Sequence, residues 1–136
     1  MQYDSDGGGA GQDRAPLWET LAEGDPSCLT DPAMRGFVLV YADWCGACKG
    51  IMPAICDLQD HVERKGMGDA MQCFNLGKRS PYPKTVRDDI SQALGVEYFP
   101  TIAFLANGKK MAYAGGRTSE DLIEAFESEV GGNARQ

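Results

Sequence analysis

The 136-residue sequence has one histidine, no excess of basic side chains and no apolar run of bilayer-spanning length. Each absence removes a class of function. Lys and Arg total 13 against 20 Asp and Glu, for a net charge of -7, so the chain lacks the basic stripe that a phosphate backbone demands, and nucleic acid is not an expected partner. A transmembrane helix needs about 20 consecutive apolar residues; nothing approaches that, and no membrane partner is expected. A structural zinc site takes about four ligands, usually in paired motifs. Beyond one close cysteine pair there are only the isolated Cys28, Cys56, Cys73 and His61, so no metal is expected. The odd cysteine count also argues against a disulfide-stapled secreted scaffold. The start, MQYDSDGGGAGQDRAP, has neither the basic end nor the apolar stretch of a secretory signal. The expectation is a cytoplasmic protein.

The acidity is unevenly placed. Residues 1–35 hold two basic and seven acidic side chains, residues 36–136 eleven and thirteen. Residues 1–14 are polar and glycine-rich, with too little apolar surface to offset the entropy of ordering them, and are expected to be a flexible tail. One domain is expected over 15–131, followed by a flexible 132–136. Pro16 suits a first helical turn, with Leu17, Trp18 and Leu21 on one side of a short helix ending about Gly24. Asp25 to Gly36 reads as an irregular connection. Phe37 to Ala42 is a continuous apolar run, which fits a strand covered on both faces. From Cys48 the period changes: Ile51, Ile55, Leu58 and Val62 make one stripe of a helix to about Arg64, with Pro53 inside it as a kink. Met71 to Leu76 reads as a strand, and a helix carrying Val86, Ile90, Ala93 and Leu94 follows Pro81 and Pro83 and stops at Gly95. Thr101 to Leu105 is a third strand, and Asn107-Gly108 turns it into an antiparallel partner, Lys109 to Tyr113. Thr118 and Asp121 form a capping box for a last helix with Leu122, Ile123, Phe126 and Val130. Alternation followed by a hairpin predicts an α/β fold: a central mixed sheet with helices on both faces, and a C-terminal hairpin plus helix.

The stretch YADWCGACK, residues 41–49, sets Cys45 and Cys48 three apart behind the first strand. Spacing alone leaves redox chemistry, a metal site and simple core packing open. Three features in order narrow the choice: WCGACK opening a helix after a buried strand, YFPT opening a later strand, and NGK turning into a hairpin before a glycine-containing link to the last helix. With these the chain resembles the thioredoxin family over residues 37 to about 130. The resemblance implies a thioredoxin-like fold and a redox-active disulfide between Cys45 and Cys48, with Cys45 exposed and attacking and Cys48 shielded and resolving. It also implies a cis peptide bond before Pro100, support from Trp44, Gly46, Ala47, Lys49 and Pro100, and a substrate surface of Trp44, Phe99, Pro100, Thr101 and Gly116. Chemistry supports the cysteine roles. A helix N-terminus stabilises an anion, a thiolate is the form that attacks a disulfide, and a thiol one turn inside can displace the mixed disulfide. Cys28, Cys56 and Cys73 read as packing residues, and His61 as a solvated surface residue.

The sequence departs from that family in four places. Ala47 replaces the proline between the cysteines, a position that tunes the reduction potential. Leu39 and Cys73 stand where thioredoxins carry a buried aspartate and its lysine partner. Glu97 and Tyr98 add bulk before Phe99-Pro100. The span from Cys45 to Pro100 is about ten residues longer than in a minimal thioredoxin, and part of it is the basic segment 78–87 with Lys78, Arg79, Lys84 and Arg87. That segment reads as a solvated loop or a docking patch for an acidic partner. The expected function is a monomeric thiol-disulfide oxidoreductase without cofactors, exchanging two electrons with protein disulfides and recharged by a partner reductase. A disulfide isomerase or oxidase, and a thioredoxin-fold binding module, are the alternatives.

Overall fold

Strand β1, Gly36–Tyr41, is buried along its whole length, which is why it reads as an apolar run without alternation. Successive side chains point to opposite faces, so Phe37, Leu39 and Tyr41 join one core cluster while Val38 and Val40 join the other. The computed structural model describes Leu21, residues 23–106 and residues 109–131. The expected tails at 1–14 and 132–136, most of the helix expected from Pro16, and the Asn107-Gly108 turn lie outside those residues.

Strand β2, Met71–Asn75, runs parallel to β1. On its other side β1 pairs antiparallel with β3, Thr101–Ala106, which pairs antiparallel with β4, Lys109–Ala112. The sheet order is β2-β1-β3-β4. Helices α1, Gly46–Arg64, and α3, Ser119–Phe126, cover the Leu39 face, and α2, Lys84–Leu94, covers the Val38 face. The mixed sheet with helices on both faces therefore stands as the patterning predicts. Helix α1 buries Cys48, Ile51, Ile55, Leu58 and Val62, a stripe spaced by three and four residues, and continues through exposed Pro53. Helix α2 ends at Gly95, whose φ of 60° is left-handed backbone that glycine adopts without a side-chain clash.

Three local expectations change. The stretch after Leu21 is not helical as far as Gly24: Glu23 bridges in parallel to Cys73, and the Gly24 amide donates to the Cys73 carbonyl at 2.7 Å. The Glu23 carboxylate is the cause, since it accepts from Tyr41 Oη at 2.6 Å and from the Asn75 amide at 2.8 Å, which holds the chain along β2. The connection before β1 contains a single 3₁₀ turn, Pro26–Thr30, capped by Asp25. His61 is not a solvated bystander. Its Nε2 lies 2.7 Å from Glu127, just beyond α3, and Lys65 Nζ reaches the same carboxylate at 2.6 Å. Lys65 first and His61 second hold the Glu127 carboxyl below the usual range, a polar clamp between the far end of α1 and the end of α3.

The α3 capping box forms as expected: Thr118 Oγ1 accepts from the Asp121 amide at 3.1 Å, and Asp121 Oδ2 accepts from the Thr118 amide at 3.4 Å. Thr118→Ala is expected to cost about 1 kcal/mol of stability, read as a lower urea midpoint with an unchanged slope.

Candidate active site

Cys45 is the N-cap of α1, with extended backbone at φ -85° and ψ 120°. Its amide donates to the Ala42 carbonyl at 3.0 Å, and its Sγ accepts from the Cys48 amide at 3.3 Å. The sulfur thus takes one of the donors that a helix start leaves without a partner, the geometry in which a thiolate is stabilised. Gly46 and Ala47 form the exposed first turn, and the Lys49 amide closes it on the Cys45 carbonyl at 3.1 Å, with the Lys49 side chain outside. Cys48 falls on the buried stripe of α1. Both cysteines are free thiols, Cys45 8% and Cys48 1% exposed. Cys45 is the more open of the two, yet it is buried, contrary to the exposure that the family resemblance implies.

Its cover comes from the segment before β3. The Phe99-Pro100 peptide bond is cis and Pro100 is buried. The Cys45 thiol donates to the Phe99 carbonyl at 3.7 Å. Trp44, 57% exposed, meets the Phe99 ring edge-on at 5.7 Å. Thr101 Oγ1 donates to the Tyr98 carbonyl at 2.6 Å and closes the turn that carries Phe99. The structure thus brings Trp44, Cys45, Cys48, Phe99 and Pro100 together. Gly116 packs against the Asp121 carboxylate, which leaves no room for a Cβ, and its carbonyl accepts from Tyr113 Oη.

Burial pushes the Cys48 thiol well above its ordinary range, and the neighbouring Cys45 adds to the rise; a backbone hydrogen bond at Ala42 and the positive charge of Arg117 pull the other way. Arg117 is a contributor that pattern reading does not single out, because it stands 69 residues from Cys48 (117 minus 48) in a link of no regular period. Leu39, in register with Cys73, is fully buried in the cluster that holds Cys45 and Cys48, so β1 presents no carboxylate there. The carboxylate pattern reading missed is Glu23, bound to Tyr41 and Asn75 on the β2 side. Burial raises the Cys28 thiol to about 11, with Asp25 and Asp31 adding to it, and raises Cys73 strongly; both are poor nucleophiles. Among the described residues no group of three or more His, Cys, Asp or Glu is placed to hold a metal, and no helix is long and apolar enough to cross a membrane.

The thioredoxin family profile matches residues 27–128. The chain belongs to the thioredoxin family. It is 29% identical over 101 residues to a protein disulfide-isomerase of Drosophila melanogaster, covering 73% of this chain and 19% of that protein. It is 34% identical over 92 residues to protein disulfide-isomerase TMX3 of Xenopus laevis, covering 68% and 18%. The chain thus spans less than a fifth of the length of these curated relatives. Among solved structures, the first thioredoxin domain of mouse protein disulfide-isomerase A4 superposes with a TM-score of 0.56 at 22% identity, over 70% of this chain and 62% of that one.

Because Arg117 favours the Cys48 thiolate, Arg117→Met is expected to raise the Cys48 pKa further. In a Cys45→Ser background, the pH profile of Cys48 alkylation should shift to higher pH when Arg117 is replaced. An unmoved profile would remove Arg117 from the site.

Proposed function

We propose that this thioredoxin-family domain is a thiol-disulfide oxidoreductase acting on protein disulfides. The observation that carries the reading is the Cys45 sulfur at the helix start, accepting the Cys48 amide and facing the Phe99 carbonyl beside the Trp44 platform. The Cys45 thiolate attacks one sulfur of a substrate disulfide, forming a mixed disulfide and releasing one substrate thiolate. Cys48, deprotonated, attacks Cys45 Sγ, forming the Cys45-Cys48 disulfide and releasing the second thiolate. The substrate gains two electrons and the pair loses them; a dithiol reductase of another protein returns them. Exposed Trp44, Phe99 and the backbone at Pro100 form the face for an extended substrate segment. Cys45 and Cys48 are catalytic; Gly46, Ala47 and Lys49 shape the first turn, and Thr101 holds the Phe99 loop. The odd cysteine count and the absence of a disulfide-framework spacing favour a reducing compartment, the cytoplasm, where a monomer would serve electron transport to disulfides.

A second reading, disulfide isomerase, is favoured by one observation: Cys48 is 1% exposed, and that burial disfavours its thiolate. A resolving thiol slow to ionise leaves substrate joined to Cys45 longer, which gives the substrate's own free thiol time to attack and rearrange its pairing.

Three variants and one potential test the proposal. Wild type should reduce insulin disulfides, Cys45→Ser should show no turnover, and Cys48→Ser should accumulate a stable mixed disulfide. Equal activity of Cys45→Ser and wild type would overturn the assignment. A reduction potential near thioredoxin's, about -270 mV, indicates a reductase, and one near about -180 mV an isomerase.

A further inference from the structure

We infer that the loop after β2 forms a cationic rim of the active site that favours disulfide substrates carrying carboxylates beside the reacting cysteine. The inference rests on the proposed oxidoreductase activity and names its substrate class. The loop runs directly against the segment that leads into Trp44 and Cys45. The Leu76 amide donates to the Tyr41 carbonyl at 2.8 Å, and a Cβ at Gly77 would stand 2.6 Å from the Asp43 nitrogen. The Asp43 carboxylate then gathers the loop: it accepts from Asn75 Nδ2 at 3.1 Å, the Lys78 amide at 3.2 Å and the Arg79 amide at 2.6 Å. Burial disfavours the Asp43 charge, but these hydrogen bonds and the Arg79 guanidinium hold its carboxyl below the usual range. Asp43 immediately precedes Trp44, so exposed Lys78 and Arg79 emerge beside the platform on which substrate would lie.

The basic segment 78–87 divides at this point. Lys84 pairs with Asp88 at 2.9 Å and Arg87 Nη1 donates to the Tyr82 carbonyl at 3.3 Å, both on α2 and away from Asp43. Lys78 and Arg79 are the two cations that Asp43 brings to the site. Exposed Lys49 adds to them, while exposed Glu97, before the Phe99 turn, opposes them along with Asp43 itself; the Arg117 charge is offset by Asp121 and Glu124, which act with it on Tyr113. Lys49, Lys78 and Arg79 against Asp43 and Glu97, with Asp43 occupied by the loop amides, make a positive window in a chain of net charge -7. The loop is also fixed: the Ser80 amide donates to the Gly77 carbonyl at 3.2 Å, the Tyr82 amide to Ser80 Oγ at 3.2 Å, and Tyr82 Oη to the Gly24 carbonyl at 2.7 Å. A rim held in place meets substrate charge without being ordered by it.

The test uses two disulfide peptides, identical except that glutamate or lysine flanks each cysteine, with kcat/KM measured for the wild type and for Lys78→Glu/Arg79→Glu. The wild type should reduce the glutamate peptide about three- to tenfold faster at low salt, the size expected of one or two exposed charge pairs. That ratio should fall toward one as ionic strength approaches about 1 M, where the Debye length is about 3 Å. The double variant should lose or invert the ratio. Turnover of both peptides with no charge preference, or a preference that neither salt nor the double variant changes, overturns the rim alone. Reduction of neither peptide overturns the oxidoreductase reading, and the rim with it.

Discussion

The hydrogen bond from the Cys48 amide to Cys45 Sγ joins the packing of α1 to the chemistry of the site. A helix start leaves amide donors without partners, and an oxygen-bearing side chain usually serves as the cap. Here a sulfur takes that place. The difference between the two cysteines then follows from helical period. Position 45 lies outside the first turn, while position 48 belongs with 51, 55, 58 and 62 to the stripe that packs on β1. The contacts that seat α1 on the sheet also bury the Cys48 thiol and push it away from ionisation. The capping sulfur of Cys45 and the shielded thiol of Cys48 are two results of one packing arrangement.

Much of this was legible in the sequence because it depends on neighbours in the chain. The apolar run 37–42 marked a strand buried on both faces, Gly95 marked the end of α2, and Thr118 with Asp121 marked the start of α3. WCGACK and YFPT located the two halves of the site, and the structure sets them in contact through Cys45 and Phe99. The features that escaped join residues far apart in sequence with no shared period. His61 reads as solvated until Glu127 is brought to it across α1 and α3. Glu23 reads as the end of a helix until Tyr41 and Asn75 capture its carboxylate. Asp43 reads as a polar residue beside a tryptophan, and only the fold shows that it organises a loop more than thirty positions away.

Among the described residues the buried polar side chain is Asn75, at the end of β2. Leu39 and Cys73 face each other across β1 and β2, and Glu23, which bridges to Cys73, is engaged by Tyr41. Burial and that hydrogen bond push the Tyr41 hydroxyl strongly upward, so Tyr41 keeps its proton. With an apolar Leu39 in the cluster shared with both cysteines, the proposed exchange would leave the Cys48 proton to water or to the departing substrate thiolate.

That account is tested most directly by the rate at which Cys48 resolves a preformed mixed disulfide on Cys45, followed in single turnover across pH. A thiol raised by burial is almost wholly protonated at neutral pH, and its thiolate fraction grows about tenfold per pH unit until it titrates. The predicted result is a rate that keeps rising from neutral pH well into the alkaline range. A rate that levels off near neutral pH would show that another group already takes the proton, and would contradict the account.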